Sequence, residues 1–495
     1  MITRFQVSGF KNLVDIDLRL GPFTCIAGEN GVGKSNIFDA VQFISYLADY
    51  PINEAIGMIR GRESSYLKFT SISDIFQRFA NKVNPEISIS LEMIIPEEGE
   101  DDLGQIANAT YNFLKYSLRI RLGKDAAGSD HIQIIEEELV PLKKKDASKH
   151  ILFRHSAKWR NKIIRGKRNV PFISTSESDG ESFINLHQDG GSSGKPRPFS
   201  TSNLPRTVLS TARYASETPT VLLARREMQN WKFLQLEPSA LRRPDELEKF
   251  SARVKIQSDG SNLPSTVYRL SRVIEDFGDA TSLYTMLANK LSDLIEDIVE
   301  IQVDKDEKRQ LLTLQVKTKD GTIFPARSLS DGTLRFLALA VLDLDQNENG
   351  LICLEEPENG IHPERVPTMI SMLRNIPVDP FDIEVESNPL RQVIVNTHSP
   401  GVVAEVPEES LVYVQSTEFV RDGDRFKGTT VRALSGTWRT EKGGTREISK
   451  GKLLAYLNPS NNTLRYEDKI RDYTPTKVRS RKDLRSILQN SLFDD

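Results

Sequence analysis

The stretch GENGVGKSN, residues 28–36, constrains this chain more than any other. Gly28 to Ser35 fits G-x-x-x-x-G-K-S without a mismatch, a pattern that needs a strand before it and a helix after it. The flanks supply both. Phe23, Cys25 and Ala27 alternate with Thr24 and Ile26 in a short apolar run, and KSNIFDAVQFISYL places Ile37, Phe38, Val41, Ile44 and Leu47 near helical spacing. Gly28, Gly31 and Gly33 let the backbone turn tightly enough to aim successive N–H groups at phosphate oxygens, and the positive end of the following helix adds to the cradle. Lys34 is placed to reach the β and γ phosphates of ATP, and the Ser35 hydroxyl to ligate Mg2+. Asn30 and Asn36 complete the candidate ATP-binding residues of this loop.

Residues 350–363 read GLICLEEPENGIHP, an apolar strand ending in two carboxylates and a turn. Such a strand end can hold Glu355 near Mg2+ through water and aim Glu356 at an attacking water, which describes a hydrolytic site. Solvated loop acids are the plainer alternative. Upstream, SLSDGTLRFLALAVLDL sets Ser330, Asp331, Gly332 and Thr333 before a helix with Leu334, Leu337, Ala338, Val341 and Leu342 on one face. These four residues form either a second anion site or an ordinary N-cap. Downstream, QVIVNTHSP is a β-branched strand ending in His398.

The order of these segments resembles the ATP-binding-cassette type ATPase head. More narrowly, SLSDGT, LEEPENGIHP and VNTHSP are similar to the RecF- and OLD-like cassette ATPases, the group often called AAA-21. These motifs occupy the flanks, residues 1–80 and 300–415. The resemblance implies an α/β fold, a P-loop NTPase of ABC-ATPase type with a mixed central sheet, flanking helices and an antiparallel sheet, interrupted by a largely helical inserted region. It also implies a head-to-tail homodimer with ATP between Gly28–Ser35 of one subunit and Ser330–Thr333 of the other. On the matching positions, Lys34 and Ser35 belong to the phosphate loop, Glu355 is the metal-side acid, Glu356 the catalytic base and His398 the switch histidine. Asn359 and Gly360 fall on the dimer-contacting loop. Two departures, Glu355 where many cassettes have Asp and Asp331 where many have Gly, are familiar in the OLD-like branch. For the Gln that contacts Mg2+ in such heads the candidate is Gln77 in ISDIFQRF, with a plain surface position as its alternative.

The expected organisation is an N-terminal head lobe over 1–125, an inserted region over 126–299, a C-terminal head lobe over 300–437 and a docking tail over 438–495. PEISISLEMII and KYSLRIRL alternate as half-buried strands. From 141 to 170 the composition turns basic: Lys143, Lys144, Lys145, Lys149, Arg154, Lys158, Arg160, Lys162, Arg165, Lys167 and Arg168 face only Asp146, with Phe153 and Trp159 interleaved. This run can grip a phosphate backbone, dock an acidic partner or be a solvated loop. The Ser-, Gly- and Pro-rich stretch that follows, STSESDGESFINLHQDGGSSGKPRPFSTSN, reads as a mobile loop. TSLYTMLANKLSDLIEDIVEI sets Leu283, Leu287, Leu291, Leu294 and Ile298 on one helical stripe.

The net charge of −3 puts no general demand for nucleic acid on the chain, and the two cysteines, Cys25 and Cys353, are too few for a disulfide framework. No window is apolar enough to cross a membrane and the start MITRFQVSGFKN shows no leader pattern, so a cytoplasmic location and no membrane partner are expected. Sustained heptads are absent, which excludes long coiled-coil arms. The Asp-x-Asp pair Asp422 and Asp424 in RDGDRF reads as a hairpin turn, which argues against a built-in Toprim nuclease. The expected activity is therefore Mg-dependent ATP hydrolysis coupled to a separately encoded HNH or Toprim-like nuclease, as in two-component antiphage systems resembling Septu and PARIS. A RecF-like repair ATPase that binds double-stranded DNA is the alternative. A transporter's nucleotide-binding subunit is disfavoured by LEEPENGIHP and the insertion.

Overall fold

The computed structural model describes residues 1–59, 71–79, 82–125, 128–190, 194–247, 255–275, 281–292, 298–345, 349–384, 388–421 and 423–457. A seven-stranded mixed sheet runs in the order Lys232–Leu234, Gly350–Glu355, Arg391–Thr397, Phe23–Ala27, Leu411–Arg421, Asp424–Leu434 and Glu447–Ile448. The first five strands are parallel. Parallel strands covered on both faces are continuously apolar, and every residue of Phe23–Ala27 and Arg391–Thr397 is buried. Alternate side chains divide between two cores. Ile26, Cys353, Ile394 and Val412 face one; Cys25, Leu354, Val395 and Leu411 face the other.

The first core is closed by the helix Lys34–Leu47 and an eight-stranded antiparallel sheet that contains both alternating strands, Glu86–Ile94 and Phe113–Lys124. The second is closed by the helices Asp331–Leu344 and Val366–Asn375, with a smaller sheet built on Ile298–Asp306 and Leu311–Thr318. Parallel direction has one functional consequence. The C-terminal ends of Phe23–Ala27, Gly350–Glu355 and Arg391–Thr397 lie together, so three separate motifs emerge side by side.

The region 126–299 departs from its largely helical expectation. Its first part is strand: Asp130–Pro141, Ile173–Ser178, Glu181–Leu186 and Arg197–Ser200 extend the antiparallel sheet. Helices dominate only from Pro219–Gln229 onward, and even there Lys232–Leu234 is the edge strand of the central sheet. The expected mobile loop contains a tight hairpin. Ser178 pairs with Glu181 across Asp179 and Gly180, both at positive φ (53° and 80°), the two-residue turn whose twist suits paired strands. Of the leucine stripe, Leu283, Leu287 and Leu291 are buried on the helix Thr281–Ser292, but Ile298 begins a strand, and Leu294 lies outside the described residues.

The tail beyond 437 is also more integrated than a docking segment. Arg439 is fully buried, with its guanidinium donating to the Arg19 and Glu409 carbonyls, and Glu447–Ile448 extends the central sheet. The last described helix, Lys450–Leu457, packs on Pro400–Glu405 just beyond His398. Residues 458–495 lie outside the described residues. Leu411–Arg421 and Asp424–Leu434 pair as the hairpin read from RDGDRF, with Arg421 opposite Asp424 and Gly423 in the turn, while Asp422 lies outside the described residues. No described helix is long and apolar enough to cross a membrane.

Candidate functional site

Each motif enters the site through a backbone feature that a strand end or helix start imposes. After Phe23–Ala27 the chain turns at Gly31 and Gly33 (φ 78° and 104°) into the helix that begins at Lys34. A Cβ at position 33 would meet the Thr429 hydroxyl at 2.2 Å and the Asn12 side chain at 2.8 Å, so only glycine fits. Thr429 in turn donates to the Val32 carbonyl at 2.6 Å, and Asn36 donates to Asn12 at 2.7 Å. Asn12, between the first two strands of the antiparallel sheet, and Thr429, on the strand Asp424–Leu434, therefore buttress the loop. Nothing in the local motif pattern announces either one.

Lys34 is folded back on its own loop, donating to the Gly28 and Glu29 carbonyls at 2.7 Å each. Burial lowers its pKa, opposed by the charges of Glu356, Glu358, Glu29 and Glu355. This carbonyl-bound ammonium sits where the motif needs a cation for phosphate, while the space above Gly31 and exposed Asn30 is open. Ser35 and Glu355 line one cavity of about 410 Å³ together with Asp39, Gln42, Gln235 and Asp259. Asp39 is engaged by Lys11 at 2.7 Å, and the Ser35 hydroxyl and Glu355 carboxylate are oxygen donors of the kind a hard divalent cation and its waters take. The residues present thus fit both a triphosphate and Mg2+.

Gln77 does not line that cavity. Nor is it a surface residue: it is 3% exposed, its N–H donates to the Gly9 carbonyl, and its amide nitrogen is buried without a hydrogen-bond partner. Gln42 and Gln235 are the amides that do line it. Gln235 follows the edge strand Lys232–Leu234, whose Leu234 is in register with Leu354, and lies beside Glu355. It also lines the second cavity, with Glu355, Glu356, Asn359 and Arg335. A three-residue strand is too short for periodicity to reveal.

Glu356 stands at the first turn after the acidic strand with φ 43°, a left-handed conformation that costs a non-glycine residue about 1 kcal/mol or more. Two bonds from Asn396 fix it: the Glu356 N–H donates to the Asn396 carbonyl at 3.1 Å and to its side-chain oxygen at 3.0 Å. Its carboxylate is held at both oxygens, by His398 Nδ1 at 2.7 Å and by the Asn359 amide at 2.9 Å. Burial pushes the Glu356 pKa up, but these hydrogen bonds and the charges of His398 and Lys34 outweigh it and leave the group below its ordinary value. The result is a half-buried carboxylate kept ionised. His398 is secured behind by Tyr456, whose hydroxyl donates to the His398 carbonyl at 2.6 Å. Buried Glu358 accepts from Thr397 beside it, its pKa raised by desolvation.

Ser330 is the N-cap of the helix Asp331–Leu344: its hydroxyl oxygen accepts from the Thr333 N–H at 3.2 Å. The ordinary capping alternative is thus realised, and the helix start is still presented outward, with Asp331 and Gly332 exposed or nearly so. Gly332 lies against Gly360, whose carbonyl would be 2.8 Å from a Cβ at 332. Arg335 donates to the Asn359 carbonyl. Ser330–Thr333 and Asn359–Gly360 therefore share one face, while neither cavity at Glu355 is lined by Ser330–Thr333 of the same chain.

The basic run is not gathered into one patch. Lys144 donates to the Asn161 and Ile164 carbonyls, Lys162 to Ile383, and Arg168 to Val170, Asp189 and Gln188 while stacking 4.2 Å from the Phe172 ring centre. Arg160 contacts His155, Arg165 pairs with Glu97 and Arg154 with Glu409, so Asp146 is not the only acid they face. Phe153 and Trp159 are core residues, 5% and 2% exposed, and cannot stack on bases. Lys143, Lys145, Lys158 and Lys167 remain exposed.

Comparison with known proteins agrees with the motifs. Residues 115–404, more than half of the chain, match the family described as "AAA domain, putative AbiEii toxin, Type IV TA system". An OLD nuclease from Thermus scotoductus is 50% identical over 44 residues, 9% of this chain and 8% of that protein. Two proteins named DNA replication and repair protein RecF also match: that of Corynebacterium jeikeium, 27% identical over 15% of this chain and 18% of its own length, and that of Paenarthrobacter aurescens, 22% identical over 36% and 44%. The chain thus spans less than half the length of each of these relatives. Among solved structures, the Smc head bound to the C-winged helix domain of ScpA aligns at TM-score 0.44 and 13% identity, over 88% of this chain and 98% of that one. The chain belongs to this AAA-domain family; its fold is of the ABC-type P-loop kind, and parts of it are similar to RecF and OLD proteins.

Proposed function

We propose that this chain hydrolyses ATP in a head-to-tail dimer whose opening and closing control a separately encoded effector, a nuclease in an antiphage complex. The ATPase reading is carried by one observation: the phosphate loop, Glu355–Glu356 and His398 converge at the ends of three adjacent parallel strands. The loop N–H groups and Lys34 hold the triphosphate, which requires Lys34 to exchange two carbonyls for phosphate oxygens. Ser35, Glu355 and Gln235 would hold Mg2+, which when bound neutralises charge on the β and γ phosphates. Glu356 accepts the proton of the attacking water, and His398 orients its carboxylate. Ser330–Thr333 offers a capped helix start to the partner's triphosphate, completing a site that one chain leaves half built.

Effector control is supported by the OLD nuclease relative and by the toxin–antitoxin description of the family. The RecF relatives and exposed Lys143, Lys145, Lys158 and Lys167 support the second reading, an ATPase that closes on double-stranded DNA. Glu356→Gln should retain ATP binding and lose at least about a hundredfold in kcat, whereas Lys34→Ala should weaken binding itself. Wild-type turnover by Glu356→Gln removes it as the base. A pulldown of wild type and Glu356→Gln with ATP, each co-expressed with its genomic neighbours, then decides the partner. A stoichiometric nuclease supports effector control; salt-sensitive DNA without one supports the RecF-like reading.

A further inference from the structure

The helix start offered to the partner's nucleotide carries a charge of the wrong sign. Asp331 is its first residue, half exposed, and a carboxylate there opposes a triphosphate that the helix dipole would otherwise attract. The structure supplies a counter-charge from a distant segment. Arg242, at the C-cap of the short helix Pro238–Leu241, donates from one guanidinium nitrogen to the Asp331 carboxylate and to the Leu329 carbonyl, the latter at 3.1 Å. That helix packs against Asp331–Leu344, so the guanidinium spans the residue before the N-cap and the residue after it.

We propose that Arg242 is a positioning residue for the nucleotide of the opposite subunit: it neutralises Asp331 and fixes the Leu329–Asp331 backbone so that the helix start remains attractive to phosphate. The inference rests on the dimer reading above. Its chemistry is specific, because Asp331 occupies a position where the anion site itself needs no acid. Remove Arg242, and an unpaired carboxylate faces the incoming triphosphate. Remove both, and the repulsion disappears with its remedy. A purely structural tie through Leu329 would not be relieved by the second change.

Sedimentation equilibrium of the full-length chain with Mg2+ and ATP tests this in a Glu356→Gln background, where hydrolysis should not empty the site. The Glu356→Gln parent should dimerise. Adding Arg242→Ala should weaken dimerisation about tenfold or more while leaving ATP affinity at low protein concentration unchanged. Adding Arg242→Ala with Asp331→Gly should restore the dimer to near the parent value. If Arg242→Ala dimerises like the parent, or the double change stays as weak as the single one, charge compensation is wrong although the dimer stands. If the parent itself stays monomeric with ATP bound, the sandwich reading falls and takes this inference with it.

Discussion

At the scale of a single residue, Glu356 shows how a base is kept usable in a partly enclosed site. Burial alone would raise its pKa; the donors His398 and Asn359 reverse that tendency. Hydrolysis needs the ionised form, so the acid limb of the kcat/KM profile should lie below the ordinary carboxylate range. Asn359→Ala removes one of the stabilising donors and should move that limb to higher pH, so the variant loses activity first as the solution is acidified. A profile whose acid limb stays in place would show that another group controls it. The positive φ of Glu356 belongs to the same argument: Asn396 satisfies its N–H, and the strained turn aims the carboxylate at His398 and not along the strand.

At the scale of elements, Glu137 ties a loop to the antiparallel sheet. It lies fully buried on Asp130–Pro141 and accepts from the Val208 N–H at 2.6 Å, the Leu209 N–H at 2.8 Å and the Tyr116 hydroxyl at 3.2 Å. Desolvation pushes its pKa up to about 7, against those donors. Because the folded value exceeds the unfolded one, the folded state binds the extra proton between about pH 4.5 and 7. Stability on this group's account is therefore full below that window, falls as pH rises through it and is level above. Urea unfolding should show the stability of wild type relative to Glu137→Gln declining over that range, by at most about 3 kcal/mol; a pH-independent difference would refute the coupling. The same region shows what the sequence hid. Phosphate loop, paired acids and His398 were legible because a strand end or helix start fixes each motif locally. The Asp179–Gly180 hairpin signal was present in the sequence but masked by the Ser- and Gly-rich composition around it. Gln235 and the carbonyl partners of Lys144, Lys162 and Arg168 depend on contacts between distant segments, to which a linear pattern is blind.

At the scale of the whole molecule, the two sheets must hold their relative position if the loop buttress at Asn12 and the acids of the central sheet are to serve one nucleotide. A single buried amide makes much of that connection. Gln392, on the central strand Arg391–Thr397, accepts from the Ile2 N–H at 2.8 Å and donates to the Ile2 and Gly21 carbonyls at 2.7 and 2.9 Å. Ile2 opens the first strand of the antiparallel sheet, so these bonds cross directly between layers. The neighbouring Met1 ammonium pairs with Glu227 at 2.6 Å, a buried polar tie to the helix Pro219–Gln229. Gln392→Leu keeps most of the volume but leaves a backbone N–H and two carbonyls to find new partners without water. The cost should be about 2–4 kcal/mol, larger than for a surface amide, because each stranded group forfeits its desolvation as well as its bond. Denaturant unfolding followed by both tryptophan fluorescence and circular dichroism should register that loss. It should also raise the nucleotide KM more than a remote destabilising change of equal size, since the buttress and the acids are then free to drift apart. Equal KM values in the two variants would mean that the lobes are aligned by apolar packing alone.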